Sequence, residues 1–358
     1  MIKKILTSLC ILLICGSCSR IFNADQNLQD DYNSMLLSLG YSEDNAKLIE
    51  SFESENQALF SKEYNEELVK LISSKDFKEE DINEYISLGL DVDTYYYLKN
   101  NDMLSSEYLE LLRYFKVDKY FILKNFKYYV QYKDKYPTIR EVVEYVNTKA
   151  YKEGYKQYSM SDTTKGIYTI ASKIYYLYHY VPDNLVDVER EYRTSVKSFS
   201  MVKEAYEAFK RMSDAATSKG LKVLATCAYR SYEDQKKIYE GYLKKDPQDF
   251  VDTYSSRPGF SDHQIGLSID VWANNKTFEE FASTKENEWL KDNAYKYGFI
   301  MRYPMKKEYI TGYMYESWHY RYVGLDAAKE IHNNNITFDE YYAYYVDNSN
   351  SSHILKDK

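Results

Sequence analysis

The sequence predicts an α+β protein in which a mixed domain follows an all-helical region. Three observations predict it. In the second half, helical and strand-like segments alternate without the regular strand–helix–strand order of a doubly wound fold. From about residue 36 to 150, apolar residues recur at helical spacing in pieces such as LVKLISS, DINEYISLG, YLELLRYF and EVVEYVN. After about residue 160, short apolar runs of strand type appear, among them Leu221–Ala228 and Gly266–Trp272.

The N-terminus reads MIKKILTSLCILLICGSCSR, with two lysines, an apolar run from Ile5 to about Ile14, and small residues before Cys18. This is the layout of an export signal, and it is short for a bilayer span. Gly16-Ser17-Cys18 resembles a bacterial lipobox, although Cys15 stands where leucine is usual. The resemblance implies that residues 1–18 are a lipoprotein signal, that Cys18 is lipidated, and that the chain is tied to the outside of the cell membrane. Simple cleavage and an uncleaved anchor are the alternatives.

Residues 19–35 are polar and read as a tether, and residues 36–160 as the helical region. Leu39-Gly40 and Leu88-Gly89 each precede an acidic helix start, a faint repeat of stacked hairpins. Pro137-Thr138 followed by Glu141 predicts a capping box. The run KEEDINE reads as a solvated helix face, and the region gathers no catalytic residue types. It is a spacer or an interaction module whose partner the sequence does not name.

In residues 161–348 the first strong signal is an amphipathic helix over Met201–Ser218, with Val202, Ala205, Tyr206, Phe209, Met212 and Ala216 on one face. Lys219-Gly220 ends it. Strands are expected at Leu221–Ala228, Gly266–Trp272 and part of Tyr313–Val323, and helix starts at Thr277 with Glu280 and Thr337 with Glu340. Residues 349–358 form a polar tail.

Composition excludes some functions. A net charge of -8 provides no global basic field, so nucleic acid is not an expected partner. The 42 tyrosines suit half-wet packing surfaces. Cys10, Cys15 and Cys18 lie in the signal, leaving Cys227 alone in VLATCAY, so no internal disulfide is expected after processing. A lone thiol in such a run reads as a small core residue.

Three stretches hold unusual residue types: AYRSYEDQ (228–235), SDHQIGLSID (261–270) and YESWHYRY (315–322). Singly, each pairing is ordinary. Together, His263, Asp270 and His319 supply the three His or carboxylate ligands of a catalytic zinc, which keeps its fourth position open. Glu316 is then the spare carboxylate such hydrolysis needs as general base. No HExxH motif is present. His179, His332 and His353 lie outside the cluster.

SDHQIGLSID resembles the SxHxxGxxxD motif, and ESWHYR the ExWHxR motif, of the D-alanyl-D-alanine carboxypeptidase (VanY-like) metallopeptidases. Their superfamily also includes lysostaphin and the hedgehog zinc domain. AYRSYEDQ is similar to the family's YRSYxxQ segment, and Val181–Val188 (VPDNLVDV) to its entry segment. Ordered matches run from about Ile167 to Tyr345, roughly half the chain. The resemblance implies a small antiparallel sheet flanked by helices. It implies Zn²⁺ held by His263, Asp270 and His319, with Glu316 as catalytic base. Arg230, Gln235 and Ser261 stand where the family meets the substrate's terminal carboxylate or reacting carbonyl, and an arginine's planar fork suits a carboxylate. The implied activity removes the C-terminal D-Ala from peptidoglycan stem peptides outside the membrane. An L,D-carboxypeptidase acting on tetrapeptide stems fits the same motifs. A zinc-containing peptidoglycan-binding module without turnover, or an envelope scaffold centred on the helical half, are rivals of another class.

The departures are Asp262 for a usual Glu, Ser268 for Ala, Ser317 for Pro and Cys227-Ala228 for Ser-Gly. None falls on a proposed ligand or base. Trp318 is expected to fill the core.

Overall fold

A computed structural model describes residues 32–347, apart from 106–107, 109–110, 113, 115–117, 195–198 and 273–277. The signal with Cys18, residues 19–31 of the tether, Thr277, His353 and the tail lie outside the described residues; residues 32–35, expected in the tether, open a helix. The chain divides into two compact units, Met1–Lys116 and Val117–Lys358.

The first unit is helical, with residues 32–39 followed by Glu43–Glu50, Ser54–Phe60, Glu66–Ile72, Glu80–Leu88 and Val92–Asn100. Helices of seven to nine residues hold together by packing rather than by propensity. Their buried faces carry Ala46, Ile49, Phe60, Leu71, Ile82, Tyr95 and Leu98. The side chains of Ser42, Asn65 and Asp91 cap the starts of three of them. Acidic helix starts follow both Leu-Gly pairs, with Glu43 and Asp44 in one first turn and Asp93 in the other, and Gly89 caps the preceding helix at φ 55°. KEEDINE is not simply a solvated face. Asp81 is buried and pairs with Lys99 at 2.5 Å, while Glu79 accepts from the Glu53 and Asn56 nitrogens.

Among the described residues, the second unit has eight short strands. β1 (Ser159–Met160) and β2 (Tyr175–Tyr176) pair in parallel, and β3 (Leu185–Asp187) pairs antiparallel with β4 (Ser200–Val202). β5 (Leu224–Cys227), β6 (Ser268–Trp272), β7 (Phe299–Met301) and β8 (His319–Tyr322) form one antiparallel sheet in the order β5-β6-β8-β7. The predicted long helix begins at Lys203, because Met201 and Val202 are committed to β4. Its Ala205, Ala208, Phe209, Met212 and Ala216 pack with Ala225, Ile269 and Val271 in the main core. β6 therefore sends Ile269 and Val271 into that core, and Ser268 and Asp270 to the opposite face, as strand alternation requires.

Residues 118–160, which the sequence suggested belonged to the N-terminal helical region, pack within the second unit. The predicted capping box starts the helix Ile139–Asn147, whose buried Glu144 accepts from Lys307 Nζ at 2.8 Å and from the Tyr309 hydroxyl. A buried carboxylate needs such donors, and these lie more than 160 residues further along the chain. The second capping box, Thr337 with Glu340, is also present. β7 was missed, since three residues after Gly298 show no alternation to read. Among the described residues, no helix is long and apolar enough to cross a membrane.

Candidate metal centre and its cleft

Sheet register assembles the site. Asp270 on β6 stands directly opposite His319 on β8, so the two side chains share a face at cross-strand distance. His263 comes from the short 3-10 turn Asp262–Ile265 that precedes β6. That turn closes at Gly266 with φ 76°, where a Cβ would lie 3.0–3.2 Å from Pro182, Val202 and Leu185. Positive φ and close approach together make glycine the residue of choice there.

The result is a buried cluster around one carboxylate. His263 Nε2 lies 3.3 Å from Asp270 Oδ2, and His319 Nδ1 lies 3.4 Å from Asp270 Oδ1. Both separations exceed ordinary N–H···O lengths, and Asp270 Oδ1 is buried without a hydrogen-bond partner. Glu316 Oε2 stands 3.1 Å from the same His319 nitrogen. Of the other ring nitrogens, His263 Nδ1 is 2.8 Å from the Ala228 carbonyl oxygen, while His319 Nε2 makes no hydrogen bond and lies 3.6 Å from Asp262 Oδ2. A proton on His263 Nδ1 donated to that carbonyl leaves Nε2 its lone pair, directed at the Asp270 side.

Electrostatics point the same way. Burial pulls the His263 imidazole below its ordinary pKa, which favours the neutral ring a metal ligand needs. Asp270 is held down to about 2: burial raises it, but His263, His319 and Arg230 outweigh that. His319 is pushed up to about 9: burial lowers it, but Asp262, Glu316 and Asp270 override that. A centre with this surplus of carboxylates attracts a positive charge. Two imidazoles, one carboxylate with an unpartnered oxygen, and a second carboxylate alongside form a donor set that fits a divalent ion of the zinc type.

Behind the cluster, Asp262 is fully enclosed. It accepts from Arg321 Nη1 at 2.6 Å and from the Ser268 hydroxyl, with Arg302 Nε at 3.7 Å. Asp262 and Ser268, two separate departures in the sequence, are thus direct partners.

In front lies a cleft of about 510 Å³ lined by Arg230, Gln235, Ser261, Glu316 and Trp318, together with the cluster. The structure brings every predicted site residue outside the signal to this one cleft. Arg230 Nη1 donates to Gln235 Oε1 at 2.7 Å, and Gln235 Nε2 donates to the Ser256 carbonyl at 2.6 Å. Gln235 is itself buried, so its amide fixes the guanidinium from behind. Trp318 packs against the core, as expected, but also lines the cleft. His332 stacks on Tyr295 and His179 lies over Tyr232, both away from the cluster.

Sequence reasoning missed two sets of cleft residues. Cys227 is half-buried and lines the cleft, correcting its assignment to the core; a bulge at Ala225/Cys227 turns it there. Tyr303, Tyr313 and Met314 form another wall, with Tyr303 edge-on to His319 at 5.0 Å. Among 42 tyrosines, no signal marks these.

A small antiparallel sheet flanked by helices, with its site at the sheet's open face, has the architecture of the hedgehog and D-Ala-D-Ala-peptidase domains. Residues 198–325 match the VanY family, D-alanyl-D-alanine carboxypeptidase. The chain is 43% identical over 169 residues to "Putative carboxypeptidase YodJ" of Bacillus subtilis (strain 168), covering 46% of this chain and 62% of that protein. It is 35% identical over 137 residues to a D-alanyl-D-alanine carboxypeptidase of Enterococcus faecalis (strain ATCC 700802 / V583), covering 36% and 50%. The solved structure of the LdcB LD-carboxypeptidase is similar with a TM-score of 0.50 and 36% identity, over 54% of this chain and 92% of that one. The chain belongs to the VanY family of carboxypeptidases. It spans 62% and 50% of the lengths of the two curated relatives.

Proposed function

We propose that this protein is a zinc-dependent D-alanyl-D-alanine carboxypeptidase that removes the C-terminal D-Ala from peptidoglycan stem peptides. The observation that carries the reading is Asp270 between two imidazole nitrogens at 3.3 and 3.4 Å, with Glu316 alongside. His263, Asp270 and His319 would hold the ion. When bound, it supplies Lewis acidity toward a carbonyl and toward water. Glu316 takes a proton from the attacking water and returns it to the departing amine. Arg230 receives the substrate's terminal carboxylate with the N–H groups that Gln235 leaves free, and Gln235 keeps the fork in place. Ser261, at the cleft wall, faces the reacting end of the peptide. The Asp262 carboxylate, 3.6 Å from His319 Nε2, acts on that ring through its charge.

The substrate lies outside the cell membrane, which agrees with an export signal and with lipidation at Cys18; labelling with a radioactive fatty acid, lost in Cys18→Ala, checks the anchor. Similarity to an LD-carboxypeptidase supports a second reading, trimming of tetrapeptide stems. A binding module without turnover has no use for a carboxylate placed as Glu316 is.

Full-length protein and Glu316→Ala, incubated with penta- and tetrapeptide stems and followed by mass spectrometry, test the proposal. Loss of one alanine from the pentapeptide with the parent alone supports it. Cleavage of only the tetrapeptide transfers the assignment to the L,D activity, and cleavage of neither rejects both.

A further inference from the structure

Cys227 is a donor that the proposed mechanism leaves unused. It ends β5, and the register places it opposite Asp270, itself opposite His319, so all three form one row across the sheet. The bulge makes this possible: Ala225 pairs with Val271 and Cys227 with Asp270, leaving Thr226 as the extra residue. Unbulged, the strand would set Thr226 opposite Asp270 and carry the thiol one position further along. The Cys227 sulfur and ligand atoms of His263 and Asp270 all lie within 4.8 Å of one another. A second observation points to a ligand at the carboxylate that Cys227 faces: the buried Asp270 Oδ1, 3.4 Å from His319 Nδ1, has no hydrogen-bond partner. The sulfur also accepts from Arg230 Nη2 at 3.3 Å, a cationic donor suited to a thiolate.

We propose that Cys227 is a further ligand of the metal centre, closing it with a thiolate in the resting enzyme. The inference rests on the metal reading above. Three ligands leave a catalytic ion one open position. Cys227 would take that position when the cleft is empty, the thiol giving its proton to solvent as the sulfur binds and a water leaves; no electron is transferred. A thiolate in the set also shifts the preference of the centre toward softer ions.

Cobalt distinguishes the possibilities, because it reports on its ligands without turnover. Metal-free full-length protein is titrated with Co²⁺ and its absorption recorded beside Cys227→Ser and Cys227→Ala. The parent is expected to show visible d–d bands together with a near-ultraviolet thiolate-to-cobalt band. Both variants should keep the visible bands and lose the near-ultraviolet one. Visible bands alone in the parent would overturn the assignment while leaving the metal centre standing, and so would a near-ultraviolet band that survives in a variant. No bands in the parent would remove the metal reading and this inference with it. Peptide-resolved alkylation of Cys227 in the parent, which requires no variant to fold, should slow on cobalt addition; an unchanged rate would also overturn it.

Discussion

Replacing Asp262 by asparagine removes one negative charge from a site that holds two fully buried guanidiniums. Arg321 donates to Asp262 at 2.6 Å, and Arg302 lies 3.7 Å from the same oxygen while donating to Asp339 at 2.5 Å. The four groups balance, two cations against two anions, and the Arg302, Arg321 and Asp262 side chains are fully enclosed. A neutral amide in place of the carboxylate would leave the cations in excess. With charge centres about 4 Å apart and an effective dielectric constant of about 20, the lost attraction is about 4 kcal/mol. Breaking a buried pair by removing one partner costs about 3–5 kcal/mol. The amide carbonyl can still accept from Arg321, so the lower end applies and Asp262→Asn should destabilise the second unit by about 3 kcal/mol. For a unit of this size that corresponds to a fall in Tm of about 6–12 °C. Tryptophan fluorescence isolates the relevant transition, because Trp272, Trp289 and Trp318 all lie in the second unit. Urea titration of metal-free protein is the assay. A loss below about 1 kcal/mol with an unchanged m-value would refute the reasoning, since it is the range of a solvated pair.

Other expectations follow from the same contacts. Asp262→Glu adds a methylene beside Ser268 and should cost about 1–3 kcal/mol, with Ser268→Ala in the same chain recovering much of it; additive losses in a double-mutant cycle would deny the coupling. Glu340 is pushed up to about 7, burial first and Glu144 next, against the pull of Lys307. Between its ordinary 4.5 and about 7, the folded chain keeps a proton that the unfolded chain has lost. Stability should therefore fall as pH rises through that window, by an amount on the order of 2–3 kcal/mol. Glu340→Gln, which can still accept from Thr337 N, should flatten that dependence in denaturation profiles; an unchanged profile would contradict it. Gln235→Leu should raise KM about tenfold with a smaller change in kcat, because it loosens the arginine proposed to receive the substrate carboxylate; a loss confined to kcat would argue for a different role.

Much of the site was legible because its residue types are rare in this chain and their spacing is tied to strands. Two of only five histidines fall in the cluster, and Asp270 and His319 sit on the two strands whose pairing places them together. Arg230 and Gln235 were legible as a pair, although their mutual hydrogen bond was not. Cys227 was hidden by its apolar neighbours, since a bulge cannot be read from VLATCAY. Asp262 and Ser268 looked like unrelated departures, because only tertiary packing brings residues 262 and 268 into contact. Placing Glu144 required knowing that its donors lie at Lys307 and Tyr309, a separation beyond any local pattern. The short helices of the first unit were read correctly as helices, while the inward turn of Asp81 within a charged run was not.

The central claim is that His263, Asp270 and His319 hold one divalent ion on which hydrolysis depends. The most direct measurement is the zinc content of purified full-length protein, taken together with its pentapeptide hydrolysis before chelation, after chelation and after adding zinc back. The account predicts one zinc per chain, activity lost with the ion and restored with it, and neither zinc nor activity in Asp270→Ala. Full hydrolysis by the chelated protein, or stoichiometric zinc retained by Asp270→Ala, would contradict it.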